Sequence, residues 1–149
     1  MSYHSLLYHI VFRPHKSARV ITEAYEREVY ACIYSYIKDK GYKLLRINGM
    51  PDHIHMLISL PPSICLSDFV RDIKMTSSKF MKDHKEKFPY FEGWAKSYAV
   101  LSYSMREKDM IVNYIKNQKE HHKRVSFADE LRQLLTEEGI PIDEQYFLK

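Results

Sequence analysis

Three features are scarce in this sequence, and each scarcity excludes a class of protein. The two cysteines, Cys32 and Cys65, lack metal-site spacing and are too few for a disulfide framework, so both are expected to be packing thiols. Four glycines and six prolines among 149 residues exclude collagen-like and disordered chains. No apolar run reaches the about 20 residues of a membrane-spanning helix. The first twenty residues do not resemble a signal peptide, so a cytoplasmic protein without a membrane partner is expected.

The composition is that of one globular domain, 45% hydrophobic and 28% charged. Its net charge of +4 is unevenly distributed. Residues 128–149 carry six acidic and two basic side chains, whereas residues 1–127 carry 21 basic and 13 acidic ones, a net charge of +8. A basic body followed by an acidic segment indicates a polyanionic partner, and ordinary solvated faces are the alternative interpretation.

The hydrophobic pattern predicts four strands and four helices. Apolar residues at period two predict strands over 5–12, 42–47, 53–60 and 98–103, with turn residues over 48–52. Apolar residues three and four positions apart predict helices over 22–40, 66–81 and 106–123. A last helix begins at Ser126 and is ended by Gly139. Ser104 and Glu107 have the spacing of a capping box ahead of the third helix.

The order strand, helix, strand, strand, helix, strand predicts an α+β fold, the ferredoxin-like split βαβ sandwich. Its antiparallel sheet carries two helices on one face, and the C-terminal helices follow. The other face of the sheet is expected to be open, with any functional side chains projecting from it. Residues 1–125 are assigned to the main body, and residues 126–149 to an acidic helical tail of the same domain.

His53 and His55 form a His-x-His pair on the third predicted strand. Alternate residues of a strand point to opposite faces, so Ile54 and Met56 are expected in the core and both imidazoles on the other face. The two histidines lie about 6.5 Å apart along such a strand and can bind one metal ion. Ordinary surface histidines are the alternative.

The helix after Ser104 offers further groups. At 100° per residue, Tyr114, Gln118 and His121 lie within about 60° of one another. The Gln118 carbonyl oxygen suits Mg²⁺ or Mn²⁺, imidazoles favour Mn²⁺, and His121 or His122 is the rival third ligand. Tyr114 is either a packing residue or a nucleophile towards phosphorus. With a divalent ion on the scissile phosphate, such a tyrosine makes a nuclease or strand-transfer site.

Two motifs, Gly49–Ile58 around the histidine pair and Tyr114–Gln118, resemble those of the HUH single-tyrosine transposases of the insertion-sequence-200-like class. The REP-associated tyrosine transposases are close relatives of this class. Further similarity lies in Tyr8–Phe12, in Asp72–Lys74 with Ser77 and Ser78, and in Trp94–Tyr98. The resemblance covers residues 3–124.

This resemblance implies a homodimeric nuclease with Tyr114 as nucleophile and a divalent metal, Mg²⁺ or Mn²⁺, held by His53, His55 and Gln118. Members of the class cut and rejoin single-stranded DNA at hairpin-bearing transposon ends through a 5′-phosphotyrosine intermediate. The tyrosine helix of one subunit commonly completes the site of its partner. The expected protein is therefore a bacterial, metal-dependent endonuclease and strand transferase, nucleoid-associated when bound to DNA.

Other functions stay open at this point. The chain could be a domesticated relative that binds or nicks repeated chromosomal hairpins, a non-catalytic hairpin-binding repressor, or a simple metal-binding domain. The acidic segment after Ser126 is expected either to pack as a helix on the dimer or to regulate access by competing with DNA for the basic face. Candidate DNA contacts are the basic residues predicted beside the site, namely Arg13, Lys16, Arg19, Lys74, Lys79 and Lys82.

Overall fold

One antiparallel sheet of four strands, in the spatial order β2-β3-β1-β4, organises the computed structural model, which describes residues 2–149. The first residue of the predicted main body lies outside this range. The strands are β1 (Leu7–Phe12), β2 (Lys43–Met50), β3 (His53–Ser59) and β4 (Ala99–Tyr103). Helix α1 (Glu26–Asp39) joins β1 to β2, and α2 (Leu66–Lys82) joins β3 to β4. This confirms the predicted ferredoxin-like split βαβ arrangement.

The first helical layer, α1 and α2, covers one face of the sheet and forms the main core. Apolar side chains at alternate positions of β1 and β3 point into this layer because of the strand pleat. They pack against the apolar stripes of the two helices. The fully buried members include Ile10 and Phe12 of β1, Ile54, Met56 and Ile58 of β3, Ile33 and Ile37 of α1, and Ile73 of α2.

Strand β3 alternates as predicted, which places His53 and His55 on the opposite face from Ile54 and Met56. β1 pairs antiparallel with β3 so that Val11 lies opposite His55. His9, two residues before Val11, therefore belongs to the same face as the two histidines of β3.

The face expected to be open is covered by a second helical layer, so that expectation is wrong. Helix α3 (Lys108–Lys116) packs Ile111 and Ile115 on Leu57 of β3. The short α4 (Gln118–His121) and then α5 (Phe127–Glu137) follow. Apolar residues of α5 contact the sheet at β1, so these C-terminal helices form a layer of their own. Within residues 2–149 no helix has the length and apolarity that crossing a bilayer requires.

The helix predicted over 106–123 is interrupted near its middle, where Asn48 of β2 forms hydrogen bonds to its backbone. A 3-10 turn, Met105–Glu107, comes first, with the predicted capping box of Ser104 and Glu107 in place. α3 then ends at Lys116, and the following residue, Asn117, has φ and ψ of −94° and 18°, which are not helical. The Asn48 side-chain amide donates to the carbonyl oxygens of residues 115 and 116, both at 3.1 Å. These bonds satisfy carbonyls that a helix end leaves without partners, and α4 restarts at Gln118.

The connection between β2 and β3 is tighter than predicted. β2 continues through Met50, so only Pro51 and Asp52 form the turn. Gly49 is buried in this ribbon, where an added Cβ would lie 2.3 Å from the carbonyl oxygen of His53 and 3.0 Å from Cα of Ile54. Glycine is needed here because both neighbours are backbone atoms that no side-chain rotation can move away.

A Gly49→Ala substitution is therefore expected to displace β3 beside His53 and to destabilise the fold by about 1–3 kcal/mol, the usual range for an overpacked interior. Urea unfolding followed by circular dichroism measures the change. The exposed Arg46 on the same strand gives the control, since Arg46→Ala is expected to stay within about 0.5 kcal/mol of native. Equal stability of native and Gly49→Ala proteins would contradict this packing.

Candidate functional site

The side chains singled out in the sequence meet between β3 and the second helical layer. β3 places His53 and His55 there, α3 places Tyr114, and Gln118 is the first residue of α4. His53 Nε2 lies 3.1 Å from Gln118 Oε1, and the rings of His55 and Tyr114 have centroids 5.8 Å apart. His53, His55 and Gln118 are fully buried, which is unusual for such polar groups without a function or a full set of partners.

Glu130 of α5 lies at the centre of this cluster, although it is not among the site residues predicted from the sequence. Its Oε1 faces three imidazole nitrogens, His55 Nε2 at 2.9 Å, His122 Nε2 at 3.2 Å and His53 Nε2 at 3.4 Å. One ligand atom from each of these four residues lies within 4.8 Å of all the others. We call His53, His55, His122 and Glu130 the His/Glu cluster; its donors are compatible with a divalent metal ion.

The second carboxylate oxygen of Glu130 contacts the candidate nucleophile. The Tyr114 hydroxyl donates a short hydrogen bond to Oε2, and Gln118 Nε2 donates another at 2.8 Å. His121 Nε2 lies 3.4 Å from the same oxygen and has no hydrogen-bond partner. One carboxylate thus joins the histidines to the tyrosine.

The outer ring nitrogens of the three cluster histidines all have partners. The pairs are His53 Nδ1 with Asp52 Oδ1 at 2.8 Å, His122 Nδ1 with the Val125 carbonyl oxygen at 2.7 Å, and His55 Nδ1 with His9 Nε2 at 2.7 Å. This arrangement leaves every Nε2 directed inwards. Metal-binding histidines are typically oriented in this way, by a hydrogen bond at the ring nitrogen that does not bind the ion.

The atoms that face the centre of the site are mostly acceptors, which favours a cation between them. Because His53 and His122 donate through Nδ1, their Nε2 atoms in the neutral form carry lone pairs. These lone pairs face the oxygens Glu130 Oε1 and Gln118 Oε1, which are acceptors too. Acceptors that face one another need added protons or a metal ion between them. Neighbouring ligands of a small divalent ion lie about 3 Å apart, which the observed spacings match.

Burial decides which histidines are neutral at the centre. Burial lowers the pKa of His55 to about 4 and that of His9 to about 3, so both rings are uncharged at neutral pH. Burial also acts to lower the pKa of His53, but hydrogen bonds to Asp52 and Glu130 outweigh it and the net shift is upward. Burial acts to raise the pKa of Glu130, and the hydrogen bonds from its histidines reverse this, so Glu130 is a carboxylate.

Tyr114 is held as a phenol in this arrangement. Burial raises its pKa, and the adjacent charge and hydrogen bond of Glu130 raise it further. The hydroxyl is therefore a donor to Glu130 and carries its proton at neutral pH. To act as a nucleophile, the hydroxyl needs either a base that accepts this proton or a nearby positive charge that lowers its pKa.

Two sequence signals could have revealed the additional residues. In α5, Phe127, Glu130, Leu131 and Leu134 are all buried at positions i, i+3, i+4 and i+7. An acidic residue inside an apolar helical stripe indicates a charge that is buried for a reason. Likewise, His9 lies between Leu7 and Val11 at period two on β1, so a polar residue shares a buried face with two apolar ones. His121 and His122 are the rival third ligands. His122 belongs to the His/Glu cluster, whereas His121 approaches Glu130 only at Oε2, the oxygen that Tyr114 contacts.

The basic residues expected beside the site are scattered. Lys74, Lys79 and Lys82 belong to α2, on the sheet face opposite the histidines, so their expected place next to the site is wrong. Arg13 is buried, with its guanidinium donating to Ser17 Oγ and to the Lys149 carbonyl oxygen. Lys16 and Arg19 are exposed after β1, and Arg19 lies 3.6 Å from Asp52. Contact of these six residues with DNA stays a prediction.

Comparison with known proteins identifies the family. The family model described as "Transposase IS200 like" matches residues 2–118, which contain β1 to β4, the histidine pair, Tyr114 and Gln118. The chain belongs to the IS200-like transposase family. It is thus a transposase, a member of a family of DNA-cleaving enzymes, as the resemblance of its two motifs predicted.

Individual relatives agree with this membership. The transposase for insertion sequence element IS200 of Salmonella typhimurium is 31% identical over 120 residues, which cover 78% of either chain. The ISDra2 transposase TnpA of Deinococcus radiodurans is 33% identical over 82 residues, 52% of this chain and 59% of that one.

Two solved structures are similar to this transposase. A crystal structure from Deinococcus radiodurans R1, described as a transposase, matches with a TM-score of 0.62 at 26% identity, covering 78% of this chain and 93% of that one. A REP-associated tyrosine transposase bound to a REP hairpin matches with a TM-score of 0.58, covering 84% of this chain and 76% of that one. At 18% identity, the second match shows a shared fold alone.

Mn²⁺ is expected to stabilise this transposase, because an ion that binds only the folded chain raises the free energy of unfolding. At a hundredfold excess over Kd, the melting temperature should rise by about 5–10 °C. The rise should vanish in His55→Ala and persist in His4→Ala, whose histidine is exposed. Differential scanning calorimetry with and without Mn²⁺ measures it, and an equal rise in His55→Ala would place the ion elsewhere.

Proposed function

We propose that this IS200-like transposase is a metal-dependent endonuclease and strand transferase for single-stranded DNA. Tyr114 is the nucleophile, and His53, His55 and Gln118 hold a divalent ion, Mn²⁺ or Mg²⁺. The observation that carries this proposal is the convergence of the three buried ligands with the half-buried Tyr114, whose hydroxyl is hydrogen-bonded to the carboxylate that contacts His55.

The chemistry divides between these residues. Tyr114 attacks the scissile phosphorus; the bond from its phenolic oxygen to phosphorus forms, and the bond from phosphorus to the 3′ oxygen breaks. The phenol loses its proton, the departing 3′-hydroxyl gains one, and the DNA remains attached as a 5′-phosphotyrosine. A bound divalent ion would withdraw charge from the phosphate. Reversal of the same step with another 3′-hydroxyl joins strands without ATP.

The substrate we propose is single-stranded DNA with hairpin ends. Two observations support it: the net charge of +8 over residues 1–127, and the REP hairpin bound by a structure of similar fold. A homodimer belongs to the same proposal, since one chain carries a single tyrosine nucleophile and complete transposition acts on two ends.

The direct test is covalent capture of DNA. The native protein, with Mn²⁺ and a labelled single-stranded oligonucleotide containing the end of its own element, is expected to give a protein–DNA adduct on denaturing gels. Tyr114→Phe removes only the hydroxyl and should reduce the adduct at least about a thousandfold, as expected for loss of an essential nucleophile.

Tyr90→Phe provides the matched control, because that tyrosine is 77% exposed and far along the chain from the site residues. It should form the adduct at the native rate. An undiminished adduct with Tyr114→Phe, or none with the native protein in either metal, would refute the proposal.

The arrangement within one chain predicts the outcome of a mixing experiment. Here Tyr114 contacts a carboxylate that is bonded to His55 of the same chain. If this arrangement is the active one, His55→Ala and Tyr114→Phe proteins refolded together should remain inactive, since neither chain has a whole site. Adduct formation is the measurement. Recovery towards a quarter to a half of native activity would instead show that tyrosine and histidines come from different subunits.

A further inference from the structure

We propose that Glu130 is a ligand of the metal centre, so that the acidic C-terminal helix α5 is part of the catalytic machinery. This inference rests on the proposed function and adds a charged ligand to His53, His55 and Gln118. The family model ends at residue 118 and therefore does not include Glu130.

The local sequence delivers Glu130 to the site by ordinary helix packing. Ser126 caps α5, its hydroxyl oxygen accepting from the Asp129 backbone amide at 3.2 Å. Phe127, the first residue of α5, and Leu131, one turn later, pack against Val11 of β1 and fix the rotation of the helix. Phe127 also stacks on His53, with ring centroids 4.2 Å apart. Glu130 lies on this same buried stripe and is 1% exposed.

Before DNA brings its phosphate to the site, the charge of a bound divalent ion favours an anionic ligand from the protein. His53, His55 and Gln118 are neutral ligands when they bind a metal, and they are fully buried. A divalent cation surrounded only by neutral groups in a water-poor interior loses hydration energy without a compensating charge. Glu130 is the carboxylate whose oxygen faces these imidazoles directly, whereas Asp52 contacts only the outer nitrogen of His53.

The orientation of Glu130 fits a metal ligand when the facing rings are neutral, and a metal ion then takes the place of the protons that would otherwise make an ion pair. Oε1 faces His53 and His122, whose protons are used at Nδ1 on Asp52 and on the Val125 carbonyl oxygen. In the neutral form, these rings have no hydrogen to offer Glu130, so the three atoms face one another as acceptors. A metal ion bound by all three resolves that conflict.

The same carboxylate would position the nucleophile. With Oε1 at the imidazoles and Oε2 at the Tyr114 hydroxyl, Glu130 sets the tyrosine next to the ion. Glu130 is thus a ligand through one oxygen and a positioning group through the other.

Metal binding in the absence of DNA tests this role. Full-length native protein, Glu130→Gln and Glu137→Gln are freed of metal and titrated with Mn²⁺, with free Mn²⁺ measured by electron paramagnetic resonance. Glu130→Gln keeps the shape of the side chain but not its charge, and should bind Mn²⁺ at least about tenfold more weakly. Loss of a residue that only hydrogen-bonds to a metal ligand typically weakens metal binding by that factor or more, so loss of a ligand should cost at least as much. Glu137 is exposed on the same helix, so Glu137→Gln should match native.

Native affinity in Glu130→Gln would overturn the inference while leaving the proposed function intact. Unchanged affinity together with faster DNA cleavage would assign α5 the role of a cover over the site instead. No Mn²⁺ binding by the native protein would overturn the inference and the metal dependence together.

A second measurement covers the case in which Glu130→Gln does not fold, as judged by circular dichroism. In the native protein, infrared difference spectra on adding Mn²⁺ should show a shifted carboxylate stretching band, because a carboxylate becomes a ligand. A ligand set limited to histidines and Gln118 leaves the carboxylate bands unchanged, and that result would overturn the inference.

Discussion

The buried carboxylate of Glu130 is the constraint on which the second helical layer depends. An ionised carboxylate inside a protein is strongly destabilising unless partners surround it, and removing one partner of such a group commonly costs about 3–5 kcal/mol. β3 provides His53 and His55, α3 provides Tyr114, and α4 provides Gln118. Each helix of the layer is thus held by contacts to the same two oxygen atoms. The polar site and the packing of the layer therefore depend on each other.

Local pattern and topology account for what the sequence could predict. Alternation along β3 separated Ile54 and Met56 from His53 and His55, because the strand pleat leaves no other choice. The order of strands and helices led to the split βαβ sheet, and Ser104 marked the start of the third helical segment. The same spacing arguments brought Tyr114 and Gln118 to one side of their helix, although the helix itself is broken between them.

What the sequence did not predict depends on contacts between distant residues. The break at Asn117 arises from Asn48, whose side-chain amide donates to carbonyl oxygens 67 and 68 positions further along the chain. Glu130 reaches His55 across 75 positions, and no local period connects them. The α2 lysines were misplaced for a related reason: basic residues on an outward helix face show that they meet solvent, but not which side of the sheet the helix covers. The acidic character of residues 128–149 likewise concealed one acid that is buried.

The central claim is that one buried cluster holds both the metal ion and the nucleophile. Anomalous X-ray diffraction from crystals of the native protein soaked in Mn²⁺ tests it directly, since the anomalous signal locates manganese without reference to any assumed ligand. We expect one strong peak bounded by the Nε2 atoms of His53 and His55, with the Tyr114 hydroxyl as its nearest tyrosine oxygen. A peak at surface carboxylates with none between these histidines would contradict it.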